Sequence, residues 1–301
     1  MFCICAVARN EEDYLDEWIT HHLSIGFDFI VLYDNNDNDK QTEICKKYKN
    51  VLSLKIKYSK HLQFKAYNHF LKNFGSEFEY IAFIDIDEFI VFNPNQPIQN
   101  IKDLVKHDYY HLSWKVMDDN DLVYQDDRPL LERFTRELKW NIYGQYEFPV
   151  NCHVKSIIKY NDKLVCGHPH YFICDYKCYN CKDEEVKGDS PFMTPNFDVC
   201  YIKHFFTKTA EEYYKAKMPR MRCDIDLKNY YDMSIFFKYN TFTEEKYHVL
   251  KGEHIQGEHI QCEQAVKQTA EQTTDHCKQT VEQTVEQTAD HCKQTVEQTA
   301  M

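Results

Sequence analysis

Glycine is scarce in this chain, with seven in 301 residues. Phosphate-cradling loops depend on glycine, because only a backbone without Cβ lets successive N–H groups close round a nucleotide, and neither G-x-G-x-x-G nor G-x-x-x-x-G-K occurs. The Rossmann dinucleotide and P-loop readings are thereby excluded. Positive charge is also short: 36 Lys and Arg stand against 48 Asp and Glu, a net charge of -12, which argues against a nucleic-acid-binding surface. No stretch approaches 18 consecutive apolar residues, so no membrane-spanning helix is expected. Met1–Ala8 is apolar but has no basic flank and no small-residue cleavage site, and it reads as a first strand, not an export leader. The 13 cysteines are then expected as reduced thiols of a cytoplasmic protein, without a disulfide framework.

Aromatic residues are plentiful at 15%, a content that suits carbohydrate-facing surfaces and an ordinary core alike. The most informative stretch is Tyr80-Ile81-Ala82-Phe83-Ile84-Asp85-Ile86-Asp87-Glu88-Phe89-Ile90-Val91. A continuous apolar run predicts a strand buried on both faces of a parallel sheet. Three acids set into it cost several kcal/mol, in order of magnitude, unless cations or hydrogen bonds compensate them. Side chains two apart on a strand share a face, so Asp85 and Asp87 are expected together and Glu88 opposite. Paired carboxylates of this kind suit Mg²⁺ or Mn²⁺, which in turn bind phosphate oxygens.

Before that stretch the pattern predicts a strand over Phe2–Ala8, with Asn10 as N-cap and Glu11, Glu12 and Asp13 at the positive end of a helix dipole. The helix carries apolar residues at Leu15, Trp18, Ile19, His22 and Leu23, and Gly26 ends it. A strand over Phe27–Tyr33 leads into Asp34-Asn35-Asn36-Asp37-Asn38-Asp39, which is no calcium loop: Asp39 stands where glycine is needed and Cys45 where an acid is. A helix over Lys40–Lys49, a strand over Val51–Tyr58 and a helix over Leu62–Phe74 follow, making the acid-bearing strand the fourth of a β-α-β-α-β-α-β series. That order predicts an α/β fold with a doubly wound, mostly parallel sheet. The ends of strands one, two and four carry Arg9-Asn10-Glu11, Asp34-Asn35-Asn36 and Asp85-Ile86-Asp87-Glu88, and ligands bind at such ends.

Cys5 through Trp18, with His21-His22, Gly26-Phe27-Asp28, Leu32 through Asn36 and Phe83 through Phe89, together resemble the GT-A-fold glycosyltransferases of the family 2-like and family 92 groups. Ile202-Lys203-His204-Phe205-Phe206-Thr207-Lys208-Thr209-Ala210-Glu211-Glu212-Tyr213 is similar to the histidine-containing block near the end of those domains. The resemblance covers roughly residues 2–223. It implies a nucleotide-sugar donor, Mn²⁺ or Mg²⁺, and transfer to a hydroxyl of a glycan or glycolipid acceptor. Carried over by position, Asp87 would bind the metal and Asp85 the ribose or the metal, with His204 as a third ligand. Arg9, Asn10, Glu11, Asp34 and Asn35 would line the nucleotide, and Gln63 and Asn68 would face the donor.

The stretch from Ile98 to Tyr160 mixes strand-like pieces with Trp114, Trp140 and Tyr143, and its acids Asp118, Asp119, Glu132 and Glu147 are candidates for the base that deprotonates an acceptor hydroxyl. Glu132 is favoured because Arg133 beside it would keep it ionised, though a surface ion pair explains the dipeptide as well. Cys166, His168, His170, Cys174, Cys178 and Cys181 admit either a structural zinc site or a thiol-rich loop. Thr209-x-x-Glu212 is a capping box opening a helix to about Met218, and Lys215, Lys217, Arg220 and Arg222 either clamp donor phosphates or offset that helix's dipole. Domain boundaries follow: 1–250 a GT-A-like domain, with a nucleotide half to about 95 and an acceptor half after it, then a repeat tail over 251–301. In the tail Gly252-Glu253-His254-Ile255-Gln256 recurs at once, and Asp275-His276-Cys277-Lys278-Gln279-Thr280 recurs fifteen residues on; a self-associating helix and a low-complexity tail both remain open.

The sequence therefore points to a metal-dependent transferase moving a hexose from a nucleotide sugar, UDP-linked and inverting by resemblance. Family habit suggests bacterial lipopolysaccharide, lipo-oligosaccharide or capsule synthesis, in the cytoplasm at the inner face of the membrane. A nucleotidyltransferase using the same acids, and a scaffold acting through the tail, are the alternatives.

Overall fold

The computed structural model describes residues 1–138, 150–219 and 231–253. Trp140, Tyr143, Glu147, Arg220, Arg222 and the repeats from residue 254 onward lie outside the described residues, as does any reading made on them.

The first half follows the expected alternation: β1 (Phe2–Ala8), α1 (Glu12–Ser24), β2 (Phe29–Asp34), α2 (Lys40–Cys45), β3 (Val51–Lys55), α3 (Leu62–Asn73) and β4 (Tyr80–Phe83). These strands form a parallel set in the order β4-β1-β2-β3, with Ala8 level with Asp34 and Cys5 level with Phe83. Successive β1 side chains alternate between two cores. Phe2, Ile4 and Ala6 join Leu15, Trp18 and Ile19 of α1, whereas Cys3 and Cys5 join Ala66, Tyr67 and Phe70 of α3. Burial on both faces is what makes β1 read as an unbroken apolar run. Asn10 is not the cap of α1; Glu11 holds that position, and Asn10 sits in the left-handed region at φ 55. Gly26 ends α1 as expected, at φ +108, where a Cβ would fall 2.2 Å from the Asn100 amide oxygen.

The expected long fourth strand is two. β4 stops at Phe83, Ile84–Asp87 turn, and β5 (Glu88–Phe92) leaves the parallel set. Carboxylates cannot be sandwiched between two apolar layers, so the chain turns where the acids begin. The second half comprises α4 (Ile101–Leu104), β6 (Tyr109–Val116), α5 (Leu130–Arg133), β7 (Val154–Lys159), β8 (Val165–His168), β9 (Tyr171–Ile173), β10 (Cys178–Tyr179), β11 (Glu185–Val186) and β12 (Cys200–His204). β7 joins β4 and β6 antiparallel and extends the sheet. β12 pairs antiparallel with β5 and parallel with β6, which sets His204 level with Glu88 and Val116. Then come α6 (Ala210–Glu212), a π-helical turn over Tyr213–Lys217, α7 (Met233–Tyr239) and α8 (Glu244–Leu250). The fold class is α/β with a mixed central sheet whose N-terminal half is parallel.

Candidate active site

The turn between β4 and β5 is built by local hydrogen bonds. Glu88 N donates to Asp85 O at 3.1 Å, Asp85 N donates to the Glu88 carboxylate at 3.0 Å, and the Trp18 indole N–H donates to the carbonyls of Glu88 at 2.8 Å and Asp85 at 3.1 Å. Asp85 and Asp87 therefore do not share a strand face, and Glu88 does not point away from Asp85. Asp85 accepts from Lys155 Nζ at 2.9 Å and from the Gln63 amide, while Lys155 Nζ also lies 3.6 Å from Glu88. Asp87 accepts from Lys217 Nζ at 2.7 Å and lies 3.6 Å from His204 Nε2. Each aspartate thus has its own buried ammonium.

Burial opposes ionisation of Asp87, but Lys217, His204 and Lys208 outweigh it and hold the carboxyl well below the usual range. Glu88 goes the other way: burial, with repulsion from Asp85 and Asp87, pushes it well up despite Lys155. Burial also lowers His204, an effect that Asp87 only partly offsets.

At the ends of β1 and β2 the expected residues gather, in two different roles. Arg9 donates to the Asn35 amide oxygen at 3.2 Å, Asn10 N donates to Asn36 Oδ1 at 2.8 Å, and Glu11 N donates to Gln41 Oε1 at 3.0 Å. Asp34 is fully buried and its oxygens are taken by Gln41, Asn36 N, Thr42 and Lys55. It organises the turn after β2 and has no oxygen left for a ribose. Asn68 is likewise engaged elsewhere: its amide oxygen accepts from Cys166 N at 3.0 Å, tying α3 to β8.

Beyond β12 the chain runs back over these strand ends. Phe205 N donates to Asp87 O at 2.8 Å. Lys208, at φ 55, brings its buried ammonium 3.5 Å from Glu11 and 4.2 Å from the centre of the Tyr14 ring. Thr209 and Glu212 form the expected capping box. Glu212 also accepts from Tyr14 OH at 2.7 Å and from both terminal nitrogens of Arg133 at 3.0 and 2.9 Å. The expected helix to Met218 is a short α-turn continued as a π-turn, which carries Lys217 to Asp87.

The structure corrects the reading of Glu132, which is exposed on α5 while Arg133 serves Glu212. Asp118 is bound to Arg136, and buried Asp119 lies 2.6 Å from Lys246 Nζ. A zinc site is also unsupported: Cys166 and Cys178 belong to the core under α3, Cys181 to the core under α1, and no group of three or more His, Cys, Asp or Glu among the described residues is placed to hold a metal ion.

The same holds for the divalent ion expected at Asp85, Asp87 and His204. Asp87 and His204 stand together, but Asp85 is turned to Lys155 and Gln63, and an ammonium lies against Asp87. This arrangement does not fit the three-ligand set. The sequence reading missed Lys155 and Lys208. Lys155, in β7 with Val154, Ile157 and Ile158, is marked by being a charge inside an apolar strand; Lys208 sits inside the Ile202–Tyr213 block, where no local pattern marks it as buried.

The family model for glycosyltransferase family 92 matches residues 1–295. A family 92 protein of Oryza sativa subsp. japonica is 31% identical over 105 residues, covering 33% of this chain and 18% of that protein. One of Ricinus communis is 31% identical over 93 residues, 29% of this chain and 16% of the relative. Among solved structures, S. aureus TarS in complex with UDP superposes with a TM-score of 0.35 and 15% identity over 71% of this chain and 62% of that one. The chain thus matches less than a fifth of the length of the first two relatives. With its family model matched over nearly the whole sequence, the chain belongs to glycosyltransferase family 92.

Proposed function

We propose that the protein transfers a hexosyl group from a UDP-linked sugar to a hydroxyl of a glycan acceptor, with inversion at the sugar carbon. The observation that carries this reading is the meeting of Arg9, Asn35, Glu11 and Asp87 at the ends of parallel strands, beside three buried lysines. Strand ends of an open α/β sheet are where a nucleotide lies, and buried ammonium groups stabilise the charge that develops on a departing diphosphate. An oxocarbenium-like centre then meets the acceptor oxygen from the opposite side. The Mn²⁺ or Mg²⁺ implied by the family resemblance does not fit the residues as they stand, since Lys217 Nζ lies 2.7 Å from Asp87 and Asp85 is turned to Lys155. The curated relatives compared are plant proteins, and none supports a setting in bacterial surface-polysaccharide synthesis.

Calorimetric titration of the full chain with nucleotides and nucleotide sugars, with and without Mn²⁺, tests the reading. One nucleoside diphosphate class should bind, and Asp87→Asn should weaken it at least about tenfold, the loss of one charged hydrogen bond. Silence across the whole panel would remove the donor reading. Release of pyrophosphate from a nucleoside triphosphate in the presence of a sugar phosphate, with no release of sugar from a nucleotide sugar, would make the protein a nucleotidyltransferase.

A further inference from the structure

One helix face carries the charge that the chain as a whole is short of. From residue 44 to residue 76 the sequence holds eight lysines and no Asp or Glu, in a chain of net charge -12. Lys46, Lys47 and Lys55 are matched by Glu43, by Asp16, and by Asp34 with Asp39. Lys65 donates to the Ser59 hydroxyl at 3.1 Å, and neither it nor Lys72 has a carboxylate partner among the described residues. The two lie seven apart on α3, which places them on one face. That face is the outer one: Ala66, Tyr67 and Phe70 turn inward, whereas Phe64, Lys65, His69 and Lys72 are exposed. The β8–β9 hairpin adjoins it through the bond from Cys166 N to Asn68. Cys166 and Phe172 enter the core under α3, so their strand neighbours Val165 and Ile173, paired across the hairpin, point out and are 45% and 59% exposed. With Phe64, three of the six large apolar side chains exposed among the described residues belong to this one layer.

We infer that the outer face of α3 and the β8–β9 hairpin docks on an anionic lipid surface, with Lys65 and Lys72 against the headgroups and Phe64, Val165 and Ile173 at the acyl boundary. A negative leaflet acts on lysines within a Debye length, about 10 Å at about 0.1 M salt, so a local basic face binds it even on a chain of negative net charge. Lysines alone would suit any polyanion, RNA included. Val165 and Ile173 decide between the two: aliphatic side chains offer no ring on which a base stacks, but they partition into the headgroup boundary. The opposing charges are Glu77, past the end of α3, and Asp162 and Asp175, which flank the open end of the hairpin and are each followed within two residues by a lysine. None lies on α3 itself. Next to Phe64, Gln63 donates to Asp85, so docking on this face sets the candidate active site close to the lipid. Such docking is independent of which donor the site takes.

Co-sedimentation of the full chain with lipid vesicles is the test. The unsubstituted protein should pellet at low salt with phosphatidylcholine vesicles that contain about a third phosphatidylglycerol. It should stay in solution with phosphatidylcholine alone, or at about 1 M salt, where the Debye length falls to about 3 Å. Lys65→Glu with Lys72→Glu should weaken binding at least about tenfold, and Phe64→Ser with Ile173→Ser should weaken it several-fold. All four positions are exposed, so the melting temperatures should hold. Lys46→Glu with Lys47→Glu makes the same change of charge beside α1, on the other side of the sheet, and should leave binding within about twofold. Failure of the unsubstituted chain to pellet with anionic vesicles would overturn the proposal, as would an equal loss from the Lys46 and Lys47 pair. If the Lys65 and Lys72 pair matters and the Phe64 and Ile173 pair does not, the face binds polyanions of any kind and the lipid assignment falls. Vesicle binding as expected in a chain that binds no nucleotide would remove the donor reading and leave the docking face standing.

Discussion

Arg133 sits 3% exposed with both terminal nitrogens on Glu212, while its neighbour Glu132 faces solvent. The pair closes a network with Tyr14 OH and Thr209, and in it burial opposes the charged form of Glu212 but Arg133, Thr209 and Tyr14 prevail and keep its pKa low. Breaking a buried pair from one side strands the other charge, which costs about 3–5 kcal/mol. Arg133→Met should therefore lower the urea-derived unfolding free energy by about that amount. Glu132→Gln should stay within about 0.5 kcal/mol and leave the turnover of a nucleotide sugar unchanged. A large loss of turnover in Glu132→Gln, with stability intact, would restore it as the acceptor base. Sequence adjacency had suggested the wrong partner here, because it carries no information about a carboxylate 79 residues downstream.

At the scale of elements, the turn between β4 and β5 depends on α1. Trp18 is fully buried and its single N–H bridges two carbonyls of that turn. Trp18→Phe keeps most of the apolar contact and removes both bonds, leaving carbonyls under-satisfied in the core. It should cost about 1–3 kcal/mol in a denaturant titration. Nucleotide affinity should fall with it, since the turn presents both Asp85 and Asp87; unchanged stability and affinity would show the turn to be self-supporting. The parallel half, β1 to β4 with its helices, was legible in the sequence because each strand's two-sided burial and each helix's spacing are local patterns. The partners of β5 were not. β12 pairs with it from more than a hundred residues away, and β7, with Lys155 near its start, inserts beside β4 from more than seventy residues away. Nothing in a local period specifies such pairings, and they are what deliver a cation to Asp85 and His204 to Asp87. The cluster of acids was thus readable, whereas the groups that neutralise it were not.

The whole molecule has a pH dependence set by its interior histidines. Burial first of all lowers His111 to about 3 and His153 to about 4, puts His22 and His170 well below their ordinary value of 6.5, and lowers His204. His22 shows the neutral tautomer directly, accepting from Ile90 N at Nε2 and facing Trp18 O at 2.8 Å through Nδ1. A histidine with a lowered folded pKa takes up its proton only on unfolding, so the unfolded chain binds more protons and stability falls as pH drops below about 6.5. Each contributes on the order of 1 kcal/mol per pH unit between its unfolded and folded values. Glu88 opposes them, because its raised folded pKa favours the fold on acidification down to the ordinary 4.5. One carboxyl cannot balance several rings. Asp87 adds nothing in this window, since its lowered pKa withholds its contribution only below the ordinary carboxylate range. The urea midpoint should therefore drop from pH 7.5 to pH 5.5, and His22→Gln, destabilised at neutral pH by lost packing, should show a shallower slope. A midpoint that rises towards pH 5.5 would mean that these rings are charged inside the fold.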